Sequence, residues 1–168
     1  MLKLSKLTLF FLLLCLTSCL PGWAQQIQKG YFQSPVKPGA RNYLSGNCSE
    51  LRPNHFHTGL DLLSDTGDDN VTPVKAGVVV IAQYHSQYGN MVMVRHTNGV
   101  ESLYGHLANI AVKVGDKVTT QSILGKIGNT GSSTGKHLHL EILIGGYPVN
   151  PQKVIRTAQY VQQIQTQQ

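Results

Sequence analysis

Two histidines lie two residues apart in a short segment that has the branching of a β-strand. The segment reads His137-Leu138-His139-Leu140-Glu141 and follows a glycine-rich turn. Because alternate side chains of a strand point to the same face, we expect His137, His139 and Glu141 to share one face and the leucines the other. The apolar face would pack on a core and fix the direction of the imidazoles, as a catalytic site requires.

A second cluster supplies an imidazole and a carboxylate four residues apart, His57 and Asp61. This spacing puts both side chains on one face of a strand or of a helix, and Gly59 and Pro53 favour the extended chain. Imidazole and carboxylate are ordinary zinc ligands. With one of the two strand histidines they make three protein ligands, which leaves one position of tetrahedral zinc to a water. That count is typical of a catalytic site, whereas structural zinc sites are closed and usually rich in cysteine.

A third motif, Tyr104-Gly105-His106-Leu107, follows a predicted strand and is weak by itself. A single histidine in a β-rich domain is usually structural, but five of the seven histidines of this chain fall within the three motifs. The motifs therefore favour one shared site, and the remaining histidines, His85 and His96, are interpreted as structural or surface residues. Glu141 either orients an imidazole or is a plain structural carboxylate. Tyr104 is interpreted as a core residue rather than as a wall of the site.

The composition and the motif content exclude several other function classes. The sequence contains no H-E-x-x-H pair, no G-x-S-x-G nucleophile elbow and no Walker phosphate loop. The formal net charge is +6, and it falls to +4, from 12 basic and 8 acidic residues, if Lys3 and Lys6 leave with a signal. This mild basicity suits an anionic polymer such as cell wall. The basic residues form no run or stripe, so we do not predict nucleic-acid binding.

The first 24 residues have the pattern of an export signal. Two lysines precede an apolar run over residues 7–16, which is shorter than the roughly 20 residues of a membrane-spanning helix. A signal peptidase would cut after Ala24; alternatively, residues 16–19 resemble a lipobox that would anchor the chain through Cys19. Export to the periplasm or cell envelope is expected in both cases. Cys48 is then the one cysteine of the folded domain, interpreted as a small buried hydrophobe.

The rest of the chain divides into a lead-in, one domain and a tail. The proline- and glycine-containing residues 25–51 predict an extended lead-in, and the glutamine-rich residues 152–168 predict a polar tail that either docks as a short helix or frays. Between residues 52 and 151, short β-branched runs alternate with turn residues, and no segment has a helical period. Asn98-Gly99 is a hairpin signal. Besides the histidine segment, strands are predicted over residues 78–81, 91–94, 100–103 and 110–114.

Taken together, the three motifs resemble those of the lysostaphin-type, or LytM-like, zinc murein endopeptidases. The resemblance covers residues 52–151 and ends with Val149-Asn150-Pro151. The chain departs from the family in a short connection at Lys75-Ala76 and in an acidic loop over residues 64–70. The matching stretches, in the order of the family, are HFHTGLD at residues 55–61, YGHL at 104–107 and GNTGSSTGKHLHLEI at 128–142.

The resemblance implies a fold, a site and a reaction. The fold would be mainly β, an antiparallel β-sheet with smaller β-elements around a groove, similar to a barrel-sandwich hybrid. One Zn²⁺ per chain would be held by His57, Asp61 and His139, and His106 and His137 would lie beside it as catalytic histidines. The chain, expected to be a monomer, would hydrolyse peptide cross-links of bacterial peptidoglycan, because zinc acidifies water and polarises the scissile carbonyl. Cross-links that contain diaminopimelate are expected rather than glycine bridges.

Two other functions compete with this hypothesis. Relatives that have lost ligands bind and activate cell-wall amidases instead, but this chain retains the four motif histidines and the aspartate that the resemblance assigns to the site. A carrier domain is indicated only by turns such as Val114-Gly115-Asp116-Lys117-Val118, which the resembled family also contains. The sequence therefore predicts a catalytic enzyme first and a non-catalytic regulator second.

Overall fold

The computed structural model describes residues 31–37, 43–46, 48–51, 56–64 and 67–155. Within these residues the regular structure is antiparallel β, apart from two short 3₁₀ turns. The prediction of a mainly β fold is confirmed. None of these residues forms a helix with the length and apolar character needed to cross a membrane.

The described strands form one sheet of eight and one sheet of three. Most are short, and the four longest carry the valine, isoleucine, leucine and methionine runs that favour a pleated, half-buried surface. In chain order the strands are β1 (Tyr43–Gly46), β2 (Leu60–Leu63), β3 (Asn70–Val71), β4 (Gly77–His85), β5 (Gly89–Arg95), β6 (Val100–Leu107), β7 (Asn109–Ile110), β8 (Lys117–Val118), β9 (Gly125–Lys126), β10 (Leu138–Ile144) and β11 (Tyr147–Val149).

The order of the strands in the large sheet is β1-β2-β10-β6-β5-β4-β8, with β11 also paired to β10. The small sheet has the order β3-β9-β7. Strand β10 pairs antiparallel with β2 on one side and with β6 on the other. The three strands that carry or adjoin the three motifs are therefore neighbours, although they are far apart in the sequence.

The two faces of β10 divide as the alternation of its residues predicts. Leu138, Leu140 and Ile142 are fully buried and belong to the hydrophobic core. Burying a side chain of this size contributes about 1.5–3 kcal/mol to the free energy of unfolding. Because this face is anchored in the core, the opposite face, which carries His139 and Glu141, is held in a fixed direction.

The hairpin between β5 and β6 has the turn that Asn98-Gly99 predicts. Asn98 has φ 64° and Gly99 has φ 71°, the left-handed conformation that asparagine and glycine tolerate best. The strand that follows continues to Leu107, so the YGHL motif lies within β6 and not after it. Another strand is shorter than predicted. It was expected over residues 110–114, but β7 ends at Ile110.

Residues on both sides of the predicted domain pack on the same core. Strand β1 pairs with β2, and Phe32 and Val36 are buried in the hydrophobic cluster. Phe32 also forms a β-bridge with Ile155, which is fully buried. The boundaries of lead-in, domain and tail stay a prediction. The signal over residues 1–24, with Cys19 and the cut after Ala24, and the tail from residue 156 lie outside the described residues.

A buried polar network explains one histidine outside the motifs. His96 Nδ1 donates to the Ala76 carbonyl at 3.0 Å, and its Nε2 lies 2.7 Å from Ser102 Oγ. Ser102 is linked in turn to the Tyr104 hydroxyl, which accepts from Val74 N. Burial lowers the pKa of His96 and raises the pKa of Tyr104, so both side chains stay neutral. His96 and Tyr104 are thus structural core residues.

Two further single-residue predictions have different outcomes. His85 is exposed at the end of β4, as a surface residue should be. The expectation of a buried Cys48 is wrong, because the residue is only half-buried. Its Sγ lies 3.8 Å from the Thr58 carbonyl, outside the strands of the two sheets.

Candidate metal centre

The register of the large sheet brings residues from two distant motifs into direct pairing. Asp61 on β2 and His139 on β10 are Cα partners. His57 precedes β2 in extended chain: its N–H donates to the Glu50 carbonyl, and its own carbonyl accepts from Ser49 N. These backbone bonds place His57, Asp61 and His139 on one face of the sheet.

Three ligand atoms of this cluster converge on one point. His57 Nε2 lies 3.0 Å from His139 Nδ1 and 3.0 Å from Asp61 Oδ1, and the last two atoms are 2.9 Å apart. Ligands of one tetrahedral zinc at bond lengths of 2.0–2.1 Å are separated by roughly 3.3 Å, close to the distances found here. All three residues are buried. The arrangement is the one group of three or more metal-ligand side chains found among the described residues.

The charges and hydrogen bonds of the cluster favour a cation at this position. Burial favours the neutral form of Asp61, but hydrogen bonds and charge from His139 and His57 outweigh it and hold the Asp61 pKa well below its usual range. Burial likewise opposes a charged His139, yet its hydrogen bonds to Asp61 and Glu141 raise its pKa to about 9. A site that keeps a carboxylate ionised in a buried position and stabilises a neighbouring cation is suited to a divalent metal ion.

Gly59 makes room for the third ligand. A Cβ on this residue would lie 2.5 Å from the Leu140 carbonyl oxygen and 2.7 Å and 2.8 Å from Cε1 and Nε2 of the His139 ring. Contacts below 3.0 Å force one of the groups to move, and here the partners are a backbone atom and the imidazole itself. The glycine between His57 and Asp61 is therefore required for the position of His139.

Replacing Gly59 with alanine is expected to lower the affinity for added Zn²⁺ more than tenfold and to destabilise the fold by about 1–3 kcal/mol through overpacking. The physical reason is displacement of the His139 ring. Zinc titration against a chelating dye, with thermal unfolding, measures both effects. Gly77→Ala is the matched control: its Cβ would meet the Arg95 carbonyl at 2.3 Å, outside the cluster, so stability falls while zinc affinity is retained. Equal zinc affinity in Gly59→Ala and wild type would contradict this role.

Two more histidines stand beside the cluster. The ring centroids of His106 and His137 are 4.7 Å apart, and His137 Nε2 lies 3.7 Å from Asp61 Oδ1. Each ring is held by a backbone carbonyl: Nδ1 of His106 donates to Thr130 O at 2.8 Å, and Nδ1 of His137 donates to Gly135 O at 2.8 Å. With Nδ1 engaged as a donor, Nε2 is the nitrogen of each ring that remains for proton transfer in the groove.

His106 is held in an uncommon backbone conformation. Its φ is +60°, a left-handed value that costs free energy for a residue with a Cβ. Its N–H donates to the Tyr88 carbonyl at 2.7 Å, which stabilises this conformation. Burial lowers the pKa of His106 more than its bond to Thr130 raises it, so the imidazole is neutral at pH 7 and able to act as a base.

These five side chains lie at the bottom of an open groove with a volume of about 460 Å³. One wall comes from the tip of the β4–β5 hairpin and another from the glycine-rich loop before β10. An ion pair of 2.6 Å between Lys136 and Asp69 connects this glycine-rich loop with the acidic loop. The other residues that line the groove are Phe56, Thr58, Gln87, Tyr88, Ser132, Ser133 and Thr134.

The sequence analysis assigned no role to Tyr88, which the structure places beside the site. Burial and the neighbouring Glu141 raise the pKa of Tyr88 to about 12, so its hydroxyl stays protonated and donates to Glu141 Oε1 at 3.0 Å. Glu141 is buried, and His139 Nε2 donates to the same oxygen at 3.1 Å. Of the two interpretations left open for Glu141, the contact with an imidazole is the one observed. No spacing in the sequence links Tyr88 to this pair.

Comparison with known proteins decides the family. The sequence profile of Peptidase family M23 matches residues 55–151, more than half of the chain. The chain belongs to peptidase family M23. A relative from Neisseria meningitidis named DD-carboxypeptidase/endopeptidase Mpg is 46% identical over 102 residues, which are 59% of this chain and 23% of that protein. Peptidoglycan DD-endopeptidase ShyA of Vibrio cholerae is 42% identical over 100 residues, 58% of this chain and 22% of that protein.

Solved M23 structures agree with the fold. The catalytic domain of the prophage-encoded M23 protein EnpA from Enterococcus faecalis is similar with a TM-score of 0.60 and 32% identity, over 69% of this chain and 93% of that one. By contrast, the chain spans less than a quarter of the length of Mpg and ShyA. The M23 likeness thus covers the domain with the histidine cluster and not the remaining parts of those two relatives.

Proposed function

We propose that this M23 protein is an exported zinc endopeptidase that hydrolyses peptide cross-links of bacterial peptidoglycan. The observation that carries the proposal is the buried cluster of His57, Asp61 and His139 beside two further imidazoles at the bottom of an open groove. A structural site would be closed, whereas this one faces the space where a substrate can bind. The names of the relatives Mpg and ShyA support the substrate class.

Zinc is the metal that this donor set fits best. Two imidazole nitrogens and one carboxylate oxygen form the set that several catalytic zinc sites use, while magnesium and calcium prefer oxygen ligands alone. Among the described residues no sulfur belongs to the cluster, and Cys48 Sγ contacts the Thr58 carbonyl instead. When bound, zinc supplies a Lewis acid that polarises a carbonyl and makes water nucleophilic at neutral pH.

His106 and His137 are proposed as the catalytic histidines. Because backbone carbonyls engage Nδ1 of both rings, each presents Nε2 to the groove in one tautomer. In the proposed reaction one Nε2 orients the attacking water, accepts its proton and then returns that proton to the leaving amine, while the other ring, with Nε2 protonated, donates to the oxyanion of the tetrahedral intermediate. Neutral rings are required for the first task, which agrees with the lowered pKa of His106.

The groove and the charge suit a cell-wall peptide. Hydroxyl, amide and aromatic side chains line the groove beside the histidines, so an extended peptide can lie across it with its backbone hydrogen-bonded. The formal net charge, +6 for the whole sequence and +4 once Lys3 and Lys6 leave with the signal, favours approach to an anionic polymer. A DD cross-link to diaminopimelate, rather than a glycine bridge, is the proposed bond. The chain is proposed to act as a monomer in the periplasm or cell envelope, either released after Ala24 or anchored through Cys19.

A non-catalytic regulator of amidases is the alternative. It would need the same groove for binding but would not need five metal-ligand and proton-transfer side chains in contact. The observed convergence of those side chains favours the enzyme.

Purified protein incubated with isolated sacculi is expected to release peptide fragments that mass spectrometry identifies as cleaved cross-links. A chelator should abolish the release, and added Zn²⁺ should restore it, because the cluster alone lacks the Lewis acid. Cleavage that persists without metal would overturn the zinc assignment. Absence of cleavage together with stimulation of a purified amidase would favour the regulator.

A further inference from the structure

One oxygen of Glu141 receives three hydrogen bonds from three separate parts of the chain. Oε1 accepts from His139 Nε2 at 3.1 Å, from the Tyr88 hydroxyl at 3.0 Å and from the Thr58 hydroxyl. Glu141 lies on β10, Tyr88 at the tip of the β4–β5 hairpin, and Thr58 in the segment before β2. The Glu141 side chain is 4% exposed, so water does not compete for these bonds.

The three bonds fix which nitrogen of His139 faces the other ligands. An imidazole that donates through Nε2 presents Nδ1 to its other side, and Nδ1 is the atom 2.9 Å from Asp61 and 3.0 Å from His57. A ligating histidine commonly donates its second ring nitrogen to a carboxylate, which fixes the tautomer and raises the basicity of the ligand. Glu141 occupies that position here.

Tyr88 restrains both Glu141 and the ring that Glu141 orients. Its ring packs against His139 with centroids 5.7 Å apart and planes inclined by 38°. Its carbonyl accepts from His106 N at 2.7 Å, so the same residue supports the left-handed backbone of His106. The Tyr88 hydroxyl donates to the Glu141 carboxylate, which also accepts from His139 and Thr58. Tyr88 therefore restrains that carboxylate from the wall of the groove.

We propose that Glu141, Tyr88 and Thr58 form a positioning triad that holds the His139 imidazole in the ligating orientation and thereby sets the zinc affinity of the site. This inference rests on the proposed zinc site. It assigns a role to two residues, Tyr88 and Thr58, that lie outside the cluster of His57, Asp61 and His139. Tyr88 and Thr58 act through Glu141, and Glu141 acts through His139.

The test measures zinc affinity by competition with a chelating dye. Glu141→Gln is expected to bind zinc about 10–100-fold more weakly than wild type, because a neutral amide is a poorer acceptor for three donors. Tyr88→Phe and Thr58→Val each remove one donor and should produce smaller losses. Thr58→Ser keeps the hydroxyl and should restore the affinity that Thr58→Val loses. The matched control is Tyr84→Phe, the same change on the same hairpin at an exposed residue, with zinc affinity unchanged.

The double variant Glu141→Gln/Tyr88→Phe separates positioning from general stabilisation. If Tyr88 acts through Glu141, the double variant binds zinc no more weakly than Glu141→Gln alone. Fully additive losses, or wild-type affinity in both Glu141→Gln and Tyr88→Phe, would overturn the triad. Should Glu141→Gln fail to fold, the comparison of Thr58→Val with Thr58→Ser decides the question. If the wild type itself binds no zinc, it is the proposed metal site that fails.

Discussion

Replacing His139 with alanine is expected to lower zinc affinity by about 10²–10³-fold and to reduce cross-link cleavage to background. Structural zinc sites with four protein ligands bind with on the order of 10–16 kcal/mol, so one ligand carries roughly 2.5–4 kcal/mol. His139 is the ligand in contact with both other ligands and with Glu141. Its loss also leaves two buried carboxylates without their shared partner, which lowers stability.

The measurements are bound zinc per chain, zinc affinity and release of fragments from sacculi, with circular dichroism to establish that the fold is retained. Gln83→Ala is the control, since Gln83 is exposed on β4 and is not among the residues that line the groove, and it should be indistinguishable from wild type. Asp61→Asn preserves the shape of a second ligand, removes its charge and should also lose zinc. Wild-type zinc content in His139→Ala would refute the ligand set.

Replacing His106 or His137 with alanine should separate metal binding from activity. These variants are expected to keep zinc and to lose cleavage. Zinc affinity is expected to stay within a fewfold of wild type, because neither ring contributes to the three ligand atoms that converge. Cleavage is expected to fall by about 10²–10⁴-fold, the range in which a positioned acid or base contributes. Zinc titration and timed fragment release on the same protein preparations measure the two effects.

The double variant His106→Ala/His137→Ala tests whether the two rings act together. Groups that take part in one proton-transfer sequence are non-additive, so the double variant should lose little more activity than the worse single variant. Full activity in both single variants would refute the catalytic roles and leave the zinc site standing. Loss of zinc from either variant would instead place that histidine among the ligands.

The strands of the fold were predictable where a strand pairs with the next strand along the chain. The runs around residues 78–81, 91–94 and 100–103 became β4, β5 and β6, joined in order by turns at Tyr88-Gly89 and Asn98-Gly99. Local sequence carries this information because alternation and turn residues act over a few positions. The pairing of β2 with β10 was not predictable in the same way, since about 75 residues separate the strands and no local signal records their register.

The site residues were predictable in part for the same reason. His57 and Asp61 are related by a spacing within one extended segment, and His137 and His139 by a spacing within one strand, so the sequence alone proposes each pair. The choice of His139 over His137 as the third ligand needed the family resemblance, and the structure brings Nδ1 of His139 to the other two ligand atoms. The catalytic and ligand roles stay predictions until they are measured.

The sequence by itself determined the chemical groups: imidazoles and a carboxylate at strand spacing, a glycine between two of them, and an apolar face to anchor the third. The tertiary structure alone decided which groups meet. The β2–β10 register pairs Asp61 with His139, the left-handed backbone at His106 is supported by Tyr88, and two residues distant in the sequence, Tyr88 and Thr58, converge on Glu141. The physical reason is that spacing along a strand defines a face, whereas contact between faces depends on register, burial and hydrogen bonds over the whole sheet.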